Sequence, residues 1–77
     1  MDDTEIRSKI EALVEEEHRL RDGGQHTDEQ RARLRQIEED RDQLWDLLRQ
    51  RRALRSAGRD PDGAQMRDPE TVERYLG

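Results

Sequence analysis

Two apolar tracks with heptad spacing, interrupted by Gly23-Gly24, dominate the pattern of this chain. The first runs through Ile6, Ile10, Leu13, Glu17 and Leu20, with Val14 beside it. The second runs through Leu34, Ile37, Arg41, Leu44 and Leu48, and Trp45, Leu47 and Leu54 widen it. Alternating steps of three and four place these side chains on one stripe of an α-helix. Two such stripes joined by a glycine turn face each other, which predicts an all-α, coiled-coil-like antiparallel two-helix hairpin.

Local signals set the boundaries. Asp2 and Glu5 have capping-box spacing, and Gly23 can take the left-handed conformation that ends a helix, so the first helix is expected over about 3–22. Thr27 and Gln30 form a second capping box, with Asp28 and Glu29 in the first turn, and no Gly or Pro follows until Gly58. The second helix is therefore expected over about 28–57, making residues 1–58 the hairpin. In the remainder, 59–77, Asp60-Pro61-Asp62-Gly63 is a turn sequence. Asp68-Pro69 then offers a cap and first position for a short helix carrying Val72, Tyr75 and Leu76, a segment ordered only if those side chains dock and otherwise a flexible tail.

A turn centred on residues 25 and 26 would set Leu13 beside Ile37, Ile10 near Arg41 and Ile6 near Leu44. About three turns of the longer helix would then project past the first, beginning near Trp45. The core is small for 77 residues, and no cysteine is present to staple it. The expected remedy is a homodimer forming a four-helix bundle, with Trp45, Leu44, Leu47, Leu48 and Leu54 at the interface and Arg41 meeting an acid of another chain. The competing reading packs Trp45 under the chain's own tail. Glu17 and Arg41, the polar members of the two tracks, would stand about two turns apart.

Charge refines this picture. The net charge is -5, divided into -6 over residues 1–30, +4 over 31–59 and -3 over 60–77. The overall sign argues against general nucleic-acid or anionic-membrane binding, and the absence of a signal sequence or spanning segment points to a soluble cytoplasmic protein. The basic portion ends in Arg49, Arg51, Arg52, Arg55 and Arg59, a possible phosphate or nucleic-acid surface. Two structural explanations compete: cations offset the dipole at a helix C-terminus, and Asp2, Asp3 and Glu5 lie close by in a hairpin.

Candidate chemistry is sparse. Glu15 and His18 have the spacing of di-iron bundle ligands, but the positions facing them, Gln36 and Arg33, do not complete such a site. Ser8 and Ser56 lack a plausible histidine base, and Gly23-Gly24 lacks the residues of a phosphate-binding loop. Neither enzymatic activity nor a cofactor is expected.

Glu15-Glu16-Glu17-His18-Arg19-Leu20, the stretch Arg31 to Arg35, and above all the segment from Asp42-Gln43-Leu44-Trp45 to Ala53-Leu54-Arg55 resemble a family of short actinobacterial proteins catalogued only as a domain of unknown function. The resemblance extends over nearly the whole chain, including the Asp-Pro turn and Val72 to Leu76. It implies a small cytoplasmic helical protein and transfers no catalytic or binding residue. The sequence thus points to a non-enzymatic protein-interaction module with a homodimeric or other protein partner. The alternative is a nucleic-acid-associated or regulatory protein, anti-sigma-like or nucleotide-binding, that uses the Arg49 to Arg59 surface.

Overall fold

The computed structural model describes residues 1–24 and 27–76, with side chains described as far as residue 74. The expected turn centre at residues 25 and 26, and the docking of Tyr75 and Leu76, lie outside the described residues. Helix α1 spans Asp3–Asp22 and α2 spans Asp28–Ser56; a 3-10 turn at Pro61–Gly63 leads into α3 at Pro69–Leu76. The two long helices form the expected hairpin, and both the turn and α3 pack on α2.

The helix starts follow the capping signals. Asp2 accepts a hydrogen bond from the Glu5 amide at 2.8 Å. Thr27 Oγ1 accepts from the Gln30 amide while Gln30 Oε1 accepts from the Thr27 amide, which completes the capping box. Asp68 caps α3 by accepting from the Thr71 amide at 2.8 Å. The end of α1 differs from expectation by one residue. Gly23 stays helical at φ -65°, and Gly24 takes the left-handed conformation at φ +69°. At the end of α2, the Arg59 amide reaches Leu54 O and the Gly58 amide reaches Arg55 O, with Gly58 at φ +72°. This is a Schellman stop, and it turns the chain back along α2.

Ile6, Ile10, Leu44, Leu47 and Leu48 form the core, with Leu13, Val14 and Ala64 packed against it. Ile37 and Val72 are fully buried outside that cluster. The cross-helix pairs Glu17–Arg41 and Asp3–Arg55 sit about two turns further along α2 than a turn centred on residues 25 and 26 gives. The lean of helical side chains toward their own N-terminus acts in this direction, by about one position on each helix.

The observed pairing differs from two expectations. Glu17 and Arg41 are paired, with Arg41 Nη1 donating to both carboxylate oxygens at 3.3 Å, so Arg41 is satisfied within its own chain. The far end of α2 is not an open overhang either. Arg51 Nε donates to Asp3 at 2.5 Å, and Arg55 Nη2 donates to the same carboxylate at 2.6 Å, which ties the start of α1 to the last turns of α2. Arg33 runs against the trend and reaches Glu16 through two hydrogen bonds.

The result is one layer of helices. Its principal extents are 48 × 25 × 15 Å, and its radius of gyration is 14.4 Å. A compact chain of this length has a radius near 11–12 Å.

Candidate interaction surfaces

The segment between α2 and α3, which begins with the expected turn at Asp60 to Gly63, is held along α2 largely by polar contacts. Gln43, Asp46 and Gln50 repeat at steps of three and four, and so line one flank of the helix. Gln50 Nε2 donates to Gln65 O at 2.8 Å while its Oε1 accepts from the Gln65 amide at 3.2 Å, reading both main-chain groups of one residue. Gln43 Nε2 donates to Arg67 O at 2.9 Å. Between them Asp46, only 1% exposed, receives both Nε and Nη2 of Arg67 and a further hydrogen bond from Gln50.

These hydrogen bonds to the charged form, Arg67 first, hold the Asp46 carboxyl below the ordinary carboxylate range despite its burial. At the end of the track, buried Arg51 donates to Pro61 O and Asp62 as well as to Asp3. Asp3, which accepts from Arg55 and Arg51 together, is lowered from 3.8 to about 2. The Arg33 guanidinium lowers Glu16 in the same way.

Among the depressions formed by the described residues, two lie on opposite flanks of the layer. An apolar groove of about 380 Å³ is lined by Met1, Ala12, Leu13, Leu44 and Met66, with Lys9, Glu16 and Asp40 among its charged rim residues. Met1 and Met66 are 50% and 48% exposed. A smaller hollow of about 220 Å³ on the other flank is formed by Trp45 with Arg7, Ile10 and Glu11.

The sequence candidates divide between these places. Leu44, Leu47 and Leu48 are buried within the single chain, and a Cβ on Gly63 would lie 3.8 Å from the half-buried Leu54. Trp45 is 40% exposed, so the tail does not cover it. Of the basic run, Arg51 and Arg55 are engaged by Asp3, whereas Arg49, Arg52 and Arg59 are exposed. Glu15 and His18 are exposed as well, and among the described residues no group of three His, Cys, Asp or Glu side chains could hold a metal ion. The polar track was missed. Its signal was the heptad spacing of Gln43, Asp46 and Gln50 on a flank of α2 outside the apolar seam.

The fold and its polar track define a helical hairpin strapped by its own C-terminal segment. The chain belongs to the family described as protein of unknown function (DUF2630), which matches residues 2–77. It is 48% identical over 79 residues to the uncharacterised proteins Rv0898c of Mycobacterium tuberculosis and Mb0922c of Mycobacterium bovis, covering 97% of this chain and 91% of each relative. No solved structure matches the chain. No helix among the described residues is long and apolar enough to cross a membrane.

Proposed function

We propose that this protein is a cytoplasmic, non-enzymatic interaction module that self-associates through the groove lined by Met1, Leu13 and Met66 to form a four-helix bundle. The observation that carries this reading is the single layer. Domains ordinarily bury an apolar face between two layers, and here one flank of the only layer keeps an apolar groove. The accessible surface of 5613 Å² supports it, since a compact monomer of this mass exposes about 4,900 Å². The excess is of the order of one side of a standard interface, about 800 Å². Lys9 and Asp40 on the rim give both signs of charge, which suits a surface that meets its own copy.

Sedimentation equilibrium over a hundredfold concentration range tests the proposal. The expected result is a dimer for the wild type and a folded monomer for Ala12→Glu, which puts a charge into the groove from an exposed position. A wild-type monomer at every concentration overturns the reading.

A second reading is favoured by the other flank. Trp45 lies one turn before exposed Arg49 and shares its hollow with exposed Arg7 and with Glu11, which provides an aromatic face with two arginines and one acid near it. That combination suits single-stranded nucleic acid or a nucleotide, with stacking on the indole and phosphate on the arginines. Titration with a single-stranded oligonucleotide should then quench Trp45 emission, and the effect should weaken steeply with salt; unchanged emission at low salt rejects it.

A further inference from the structure

We infer that the polar track on α2 is a recognition groove for an extended peptide, that the chain's own tail is its resident occupant, and that the occupant it accepts in trans is residues 60–68 of a second copy. Two chains can thereby exchange tails about Gly58.

The contacts have the form of peptide recognition. Gln50 pairs with both main-chain groups of Gln65, Gln43 takes the Arg67 carbonyl, and Arg51 takes the Pro61 carbonyl. These hydrogen bonds address the backbone and place no demand on most side chains of the segment. Specificity enters at one deep position, where Arg67 meets Asp46 by two parallel N–H donors. A bidentate guanidinium–carboxylate pair selects arginine over lysine at that place.

The tail is attached in a manner that permits release. Between Arg59 and Asp68 no residue is buried; Pro61, Ala64 and Arg67 are partly covered, and Met66 is about half exposed. Along 59–68 apolar burial therefore contributes little, the buried apolar anchor described beyond the hinge being Val72 on α3, and each backbone-directed hydrogen bond has water as an alternative partner, so its net contribution is modest. The hinge is short and exposed: Ala57, Gly58, Arg59 and Asp60 lie at the surface. Gly58, with its positive φ, sets the direction in which the chain leaves α2.

A second copy's tail presents the same groups to the same track, so exchange conserves every contact except the geometry of the hinge. The net charge of residues 60–77 is -3, which complements the arginines at the end of α2, Arg51 among them. The exchange rests on the polar track, which adjoins the apolar groove: Gln43 belongs to both, and Met66 belongs to the tail and also lines the groove. Departure of the tail in cis would remove one wall of that groove, and a tail received from another chain would restore it.

Fluorescence anisotropy with a labelled peptide of residues 59–77 tests the inference on the full-length protein. An Arg67→Ala chain, whose own tail is loosened, should bind the peptide saturably, and the wild type should bind it more weakly because its own tail competes. Replacing the peptide's Arg67 by Ala should weaken binding by at least about tenfold, the loss expected for a hydrogen bond to a charged group. The Ala12→Glu chain carrying Arg67→Ala should bind the peptide undiminished, which separates this result from the groove dimer. Absence of saturable binding to a folded Arg67→Ala chain, or binding indifferent to the peptide's arginine, overturns the inference. If Arg67→Ala fails to fold, hydrogen exchange on the wild type decides. Gln65 amide exchange at least a hundredfold faster than the α2 core, accelerated further by excess peptide, supports release of the tail, and equal protection of the two refutes it.

Discussion

Asp46 on α2 and Arg67 in the returning tail form a bidentate ion pair over a carboxylate that is almost wholly removed from solvent. Removing one member leaves an uncompensated buried charge, whereas replacing both by apolar groups is far milder. Arg67→Met is therefore expected to destabilise the fold by about 3 kcal/mol, and Asp46→Leu combined with Arg67→Met is expected to recover most of that loss. Urea unfolding followed by circular dichroism measures both. An Arg67→Met protein as stable as the wild type would show that the pair is solvated in solution.

Acid should loosen the open end of the hairpin. Asp3 titrates at about 2 in the folded protein, below its ordinary value of 3.8. A carboxyl lowered on folding adds stability that is present above its unfolded pKa and is lost as pH falls through the folded one. Asp46 and Glu16 shift in the same direction, through Arg67 and Arg33 respectively. Stability should thus fall with pH from about 4 toward 2, and Asp3→Asn should flatten that slope while lowering stability at neutral pH. Urea midpoints at closely spaced pH values are the measurement.

The two glycines of the turn should respond differently to the same change. Gly23 is helical, and an added Cβ would meet backbone oxygens no nearer than 3.5 Å, an ordinary contact. Gly24 has open space around it but a positive φ. Gly24→Ala should cost about 1 kcal/mol, and Gly23→Ala should be neutral or slightly stabilising. Thermal unfolding of the two variants side by side checks the assignment of the turn.

Trp45 should behave as a surface tryptophan in the monomer. Trp45 is 40% exposed, so iodide should quench its emission. A blue-shifted, iodide-resistant emission at high protein concentration would mean that a second chain covers this flank.

Much of the fold was legible in the sequence because its signals are local. Asp2, Thr27 and Asp68 each cap a helix within three residues of themselves, and the heptad tracks depend on spacing alone. Register was less legible. A turn centred on residues 25 and 26 separates Glu17 from Arg41, which the structure pairs, and no local signal in either helix fixes that register. The recognition track was hidden for another reason. Asp46 looks like a solvated helix residue until Arg67, 21 residues later, is known to return to it, and no local rule links the two. Trp45 was expected across a dimer interface or under the chain's own tail, and its 40% exposure in the single chain speaks against the second.

Arg51 joins three segments that are distant in the chain, holding Asp3 at the start of α1 and Asp62 in the 3-10 turn through one guanidinium on α2. One guanidinium therefore couples the opening of all three: loosening the start of α1, the last turns of α2 or the 3-10 turn takes a partner from the other two, so this end of the molecule is expected to open as one cooperative unit.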